Sequence, residues 1–120
     1  MTGDQALAEL LDVSEDVLAA VILDTEGRPS AATVGDAEAA KAAEIAAAML
    51  AYGDALRSGV AAARLEALTA DGTVFVVREG SATVVAATGR DPVAGLVLHD
   101  LRMTLRKAGR RTKAKANASS

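Results

Sequence analysis

The hydrophobic and polar positions of the chain follow helical and strand periods in turn, and their order predicts eight elements. Leu7, Leu10 and Leu11 recur at the spacing of one helix face, and the segment Thr2–Gln5 has the spacing of a capping box. We therefore expect a short helix over residues 4–12. Residues 17–23 are seven consecutive apolar residues, and a strand without a polar face must be covered on both sides. This pattern predicts a sheet that lies between helices.

The segment after this strand contains a turn, a second strand and a long helix. Glu26-Gly27 is a turn signal, and Pro29 leads into a short strand at 30–34. Proline cannot donate to a strand ladder, so this strand is expected at a sheet edge. Residues 37–57 are dominated by alanine, the strongest helix former, and Asp36 is a suitable N-cap.

The second half of the chain alternates three strands with tight turns and ends in a helix. Strands are predicted at 64–69, 73–78 and 81–88, which together form an antiparallel meander. Acidic-Gly pairs suit the positive φ angles of tight turns, and three glycines are assigned to turns: Gly27, Gly72 and Gly80. Asp91-Pro92 marks the start of the last helix, and Gly109 is expected to end it.

The middle helix has one face of large residues and one of small residues. The large residues Ile45, Met49, Tyr52 and Leu56 are expected to pack on the sheet. The opposite face would then carry Ala40, Ala43, Ala47 and Leu50. This face is either a dimer surface or an exposed stretch of strong helix formers. We favour the dimer surface, because exposed helix faces are usually charged.

Composition and charge limit the classes of function. The 120 residues form one domain, and the absence of cysteine excludes disulfides, thiolate metal sites and cysteine nucleophiles. Residues 1–100 hold all 16 acidic residues and six basic ones, whereas residues 101–120 hold seven basic residues and no acid. We expect a domain over residues 1–108 and a disordered basic tail over residues 109–120. No leader or membrane-spanning segment is recognised, so a cytoplasmic location is expected.

Candidate chemistry is sparse in this sequence. His99 and Asp100 are neighbours, but adjacent helix residues point about 100° apart and cannot orient each other. A surface or interface histidine is therefore favoured over a catalytic one. The glycines form no phosphate-binding loop, and Asp24, Glu26 and Asp71 have no metal-ligand spacing. We expect a protein that is not an enzyme and has no cofactor or metal.

The order of elements, with the apolar strand running into Asp24-Thr25-Glu26-Gly27, resembles the Roadblock/dynein light chain family over about residues 5–107. The chain departs from the family pattern at Asp16, where many members have glycine. The resemblance implies an α+β, Roadblock/profilin-like fold, α-β-β-α-β-β-β-α, with a five-stranded antiparallel sheet between one long helix and two terminal helices. It also implies dimerisation through the middle helix and the third strand, which comprises Arg64, Leu65, Glu66, Ala67 and Leu68. An open edge strand beside a small-residue helix face is itself a liability that dimerisation removes.

The resemblance further implies a function, and the tail offers an alternative. Proteins of this type are non-catalytic scaffolds that bind small Ras-like GTPases in signalling, polarity or motility, and the best-known bacterial type accompanies a gliding-motility or polarity GTPase. The alanine enrichment, with arginine outnumbering lysine, hints at a high-GC genome. A homodimer is expected, with a heterodimer still possible. In the alternative, the body only dimerises a basic tail that anchors to anionic membrane or nucleic acid. The tail residues are Arg110, Arg111, Lys113 and Lys115. The tail has no aromatic residue for stacking, so specific nucleic-acid binding is not expected.

Overall fold

The computed structural model describes residues 1–56 and 63–119, with side chains as far as Gly109. This part of the chain has the expected order α-β-β-α-β-β-β-α. The elements are α1 (Gly3–Val13), β1 (Val17–Leu23), β2 (Pro29–Ala32), α2 (Asp36–Leu56), β3 (Arg64–Leu68), β4 (Thr73–Glu79), β5 (Ala82–Thr88) and α3 (Ala94–Ser119). Helix α1 begins at the predicted capping box, in which the Thr2 side chain accepts from the Gln5 N–H.

The five strands form one antiparallel sheet in the order β2-β1-β5-β4-β3. Strand β2 lies at one edge, as Pro29 predicts, and β3 lies at the other. The meander β3-β4-β5 is continuous, and β1 pairs with β5 so that Val21 is opposite Val85. A bulge between Val17 and Ala19 shifts the register near the start of β1.

Helices cover both faces of the sheet. Helices α1 and α3 lie on one face, where Leu7, Leu10 and Leu101 meet a core around the fully buried Phe75. Helix α2 lies on the other face over a second core. The strand residues of this second core are Val21, Leu23, Val76 and Val85. Residues 20–23 of β1 are buried on both faces, as predicted, whereas Leu18 beside the bulge is 68% exposed.

Helix α2 contacts the sheet with a different side from the one predicted. Its buried residues are Ala39, Ala46 and Gly53, which recur every seven positions. By contrast, Tyr52 and Leu56 are both 69% exposed. Because branched side chains of β1, β4 and β5 already fill the space above the sheet, the helix approaches closely only with small residues. The prediction that the large residues pack on the sheet is therefore wrong, except for Met49, which is half-buried against this core.

The last helix begins later and continues further than predicted. It starts at Ala94 rather than at Asp91-Pro92, and Asp91 adopts a positive φ of 55°. The carboxylate of Asp16 instead accepts a hydrogen bond of 2.9 Å from the Val93 N–H. The helix then runs through Gly109 to Ser119. Alanine, lysine and arginine in this segment favour helix and offset the cost of one glycine, about 1 kcal/mol. The proposed domain boundary at residue 108 stays a prediction.

The three turn glycines have different roles. Gly27 and Gly80 adopt positive φ angles of 79° and 62°, as tight turns require. At Gly72, an added Cβ would lie 1.9 Å from the Thr88 carbonyl oxygen, so the space rather than the φ angle demands glycine there.

Candidate partner-binding and dimer surfaces

The outward side of α2 exposes large apolar side chains. Ile45 is 40% exposed, and Tyr52 and Leu56 are each 69% exposed. These three residues, spaced seven and four apart, form what we call the apolar side of α2. No charged residue occurs between positions 45 and 53. Exposed apolar clusters of this kind mark sites of protein association.

A groove with an apolar lining runs between this side of α2 and the sheet. Its volume is about 290 Å³, and Ile45 lies on its rim. Glu38 and Lys41 from the first turns of α2 supply its charged groups. The sheet residues that line it are Ala19, Val21, Val74, Val85 and Ala87, with Ala20 and Ala86 beside them. This surface can accept an apolar side chain of a partner but offers no arrangement for acid-base chemistry.

Among the described residues, no strand pairs with the outer edge of β3. The Ala63 carbonyl accepts from the Arg78 N–H, and the Thr69 N–H donates to the Gly72 carbonyl. Antiparallel ladders alternate, so the odd-numbered residues of β3 bond to β4. The N–H and C=O groups of residues 64, 66 and 68 therefore point away from the sheet. Such an edge can pair with another strand.

The predicted interface residues are distributed over several surfaces. On α2, Ala40 and Ala47 are exposed, whereas Ala43 and Leu50 are half-buried and pack against the core beneath the helix. The expectation that all four lie on one free face is thus wrong for Ala43 and Leu50. On β3, Leu65 and Ala67 are half-buried, and the exposed residues are Arg64, Glu66 and Leu68.

Sequence reasoning missed the apolar side of α2 as a surface. The signal that could have found it is the recurrence of Ala39, Ala46 and Gly53 at seven-residue spacing, which marks the helix side nearest the sheet. The tail residues Arg110, Arg111, Lys113 and Lys115 have side chains outside the described residues, so their role stays a prediction.

Ion pairs hold the helices onto the sheet around these surfaces. Arg78 on β4 bonds to Asp54 on α2 at 2.8 Å, and Arg106 on α3 bonds to Glu79 on β4 at 3.1 Å. Lys107 on α3 pairs with Glu9 on α1. The side chains in these pairs are all partly exposed, so each pair contributes at most about 1 kcal/mol. Their effect is to position the helices rather than to build a reactive site.

The described residues also bear on the other candidate sites. His99 is exposed on α3, and the carbonyl of Asp100 accepts from the Thr104 hydroxyl at 2.9 Å. Within residues 1–56 and 63–109, no three histidine, aspartate or glutamate side chains come together to hold a metal ion. None of the helices in the described part is long and apolar enough to cross a membrane.

Comparison with solved structures defines the class of fold. A Roadblock/LC7 domain from Streptomyces avermitilis matches with a TM-score of 0.81 at 15% identity, covering 94% of this chain and 99% of that one. A second Roadblock/LC7 domain from that organism matches with a TM-score of 0.61 at 25% identity, over 87% and 95% of the two chains. The gliding protein MglB from Thermus thermophilus matches with a TM-score of 0.67 at 19% identity, over 90% and 86%.

The chain therefore has the Roadblock fold, and the resemblance expected from the sequence is confirmed. No protein-family model matches the chain, and no curated protein matches it significantly. The five-stranded antiparallel sheet between α2 and the two terminal helices is the expected fold class.

Proposed function

We propose that this protein is a dimeric regulator or scaffold that binds a small Ras-like GTPase and performs no catalysis itself. The proposal is supported by the exposed apolar side of α2 and by the position of β3 at a sheet edge, in a fold shared with the gliding protein MglB. A GTPase partner would bring its own nucleotide site. The scaffold would act by holding the mobile switch segments of the GTPase in one arrangement.

The dimer supplies the physical reason for these exposed groups. Burying Ile45, Tyr52 and Leu56 against a second copy removes apolar surface from water, and pairing the β3 edges satisfies backbone groups that otherwise face solvent. A symmetric dimer presents the same surface twice. We assign this dimer to the cytoplasm, as the sequence led us to expect.

Two measurements test the proposal. Light scattering on the full chain should give twice the monomer mass of 12.1 kDa at micromolar concentration. Biolayer interferometry should then be run against purified small Ras-like GTPases of the source organism, each loaded with GDP or a non-hydrolysable GTP analogue. We expect one of them to bind with at least tenfold preference for one nucleotide state. A monomer at 100 μM, or binding to none of the GTPases, would refute the proposal.

A second candidate function rests on the continuation of α3 into the basic segment. The helix extends to Ser119, and residues 101–119 contain seven basic residues and no acid. A dimer would carry two such helices, which could hold anionic headgroups through salt-dependent contacts of about 1 kcal/mol per basic residue. Flotation with vesicles containing phosphatidylserine tests this function. Truncation after Gly109 removes four of the seven basic residues and should weaken vesicle binding without affecting GTPase binding. Loss of GTPase binding from a truncated chain that remains folded and dimeric would contradict the scaffold proposal.

A further inference from the structure

The β3 edge carries two opposite charges whose arrangement is self-complementary. Arg64 and Glu66 are exposed and lie two positions apart, on the sheet face opposite α2, while Leu65 between them is half-buried on the α2 face. Among the described residues, neither charged group forms an ion pair. Arg64 lines a groove of about 310 Å³ with Arg78, Arg102 and Glu79. The one carboxylate of this groove, Glu79, pairs with Arg106, so Arg64 has no ion-pair partner among the described residues.

The backbone geometry limits how a second copy can pair with this edge. In an antiparallel ladder, a residue that points its N–H and C=O toward the partner strand stands opposite a partner residue that points its own N–H and C=O back. In both copies, the backbone N–H and C=O groups of residues 64, 66 and 68 point away from the sheet. The two-fold axis of a β3–β3 pair within this strand must therefore pass through one of its five residues, 64 to 68.

Charge distinguishes these five registers. An axis at Arg64 or at Glu66 places that residue opposite its own copy, and like charges directly opposite each other are destabilising. An axis at Ala67 places Glu66 opposite Leu68, and an axis at Leu68 places Glu66 opposite Ala70, so both registers leave the charge unpaired. An axis at Leu65 places Arg64 of each copy directly opposite Glu66 of the other. Opposite residues have Cβ atoms about 4.5–5.5 Å apart, so two ion pairs form.

We propose that a second copy of this chain pairs with β3 in the register centred on Leu65, and that Arg64 and Glu66 select that partner. The inference rests on the proposed dimer and specifies its register and the residues that discriminate between partners. A related chain whose third strand lacks this Arg-x-Glu spacing would leave one charge of each pair unmatched. The edge is therefore specific for a homodimer.

Disulfide trapping tests the register, because the natural chain has no cysteine. In the proposed register the two copies of Leu65 form a non-hydrogen-bonded pair with Cα atoms about 4.5 Å apart, within disulfide range. The two copies of Glu66 are diagonal neighbours, about 7–8 Å apart. With oxidised glutathione, Leu65→Cys should give a covalent dimer on a non-reducing gel, and Glu66→Cys should not.

The other outcomes separate this inference from the proposed function. Cross-linking of Glu66→Cys in preference to Leu65→Cys would overturn the register. Cross-linking of neither, with the reduced variants dimeric by light scattering, would overturn the β3 interface and leave a dimer of another kind. A wild-type chain that is monomeric would overturn the dimer itself and with it the register.

Charge reversal tests the role of the two side chains in solution. Arg64→Glu and Glu66→Arg should each weaken the dimer by on the order of tenfold to a hundredfold, because each replaces two attractions by two repulsions. The double variant R64E/E66R restores both pairs and should return the Kd to within about threefold of wild type. Arg28→Glu, at a 77% exposed side chain in the β1–β2 turn, is the matched control and should leave the Kd unchanged. A single Arg64→Glu variant with wild-type Kd would refute the pairing.

Discussion

Replacement of Leu56 by glutamine tests whether the apolar side of α2 is buried in a dimer. Complete burial of a leucine side chain contributes about 1.5–3 kcal/mol. Leu56 is 69% exposed in the single chain, so about 1–2 kcal/mol per copy remains to be gained on association. A symmetric dimer uses the residue twice, so Leu56→Gln should raise the dimer Kd by about 30-fold to 700-fold. Glutamine has nearly the same helix propensity as leucine, so the helix itself should persist.

Sedimentation equilibrium of the wild-type protein and of Leu56→Gln measures the change in dimer Kd. Far-UV circular dichroism checks that the variant keeps its helices. Leu96→Gln is the matched control, because Leu96 is 60% exposed on α3, on the opposite face of the sheet. Its dimer Kd should stay within about twofold of wild type. Equal losses in the two variants, or an unchanged Kd for Leu56→Gln, would refute the assignment of the interface to α2.

Three further changes test the fold. Gly72→Ala should lower the unfolding free energy by about 1–3 kcal/mol in urea titrations, since its Cβ would lie 1.9 Å from the Thr88 oxygen. Gly95→Ala should instead raise the unfolding free energy by about 0.5–1 kcal/mol, because Gly95 lies in a helix and nothing lies within 4 Å of the added Cβ. A lower unfolding free energy for this variant would contradict the absence of a clash at that position. Asp16→Ala should cost about 1 kcal/mol in thermal unfolding through loss of the acceptor for the Val93 N–H. Asp16→Asn keeps an acceptor oxygen and should retain most of that stability, so equal losses in the two Asp16 variants would argue against the hydrogen bond.

The order of elements could be predicted from local patterns because each element carries its own signal. The seven apolar residues of β1 require helices on both faces, and Pro29 places β2 at an edge. The acidic-Gly pairs at Gly27 and Gly80 mark turns whose φ angles are positive. Since these signals lie within a few residues of the feature that they specify, the fold class follows from the sequence.

The parts that could not be predicted depend on residues distant in the chain. The side of α2 that meets the sheet is decided by the valines beneath it, so a helical wheel alone favours the wrong face around Tyr52. The start of α3 is stabilised by Asp16, which is 77 positions away from Val93. For the same reason the helix face expected to stay uncovered was drawn to include Ala43 and Leu50, which pack against the core; whether α2 forms an interface stays a prediction.

The pairing of β1 with β5 has a consequence for the order of folding. Val17 stands opposite Thr88, so the first strand to be synthesised has one of its two neighbours near the other end of the chain. The meander β3-β4-β5 can form from local contacts, whereas β1 cannot complete its ladder until β5 is available. Pulsed hydrogen exchange during refolding should therefore protect amides shared by β4 and β5 before those shared by β1 and β5. On the ribosome, the N-terminal third of the chain must wait for the meander before the sheet can close.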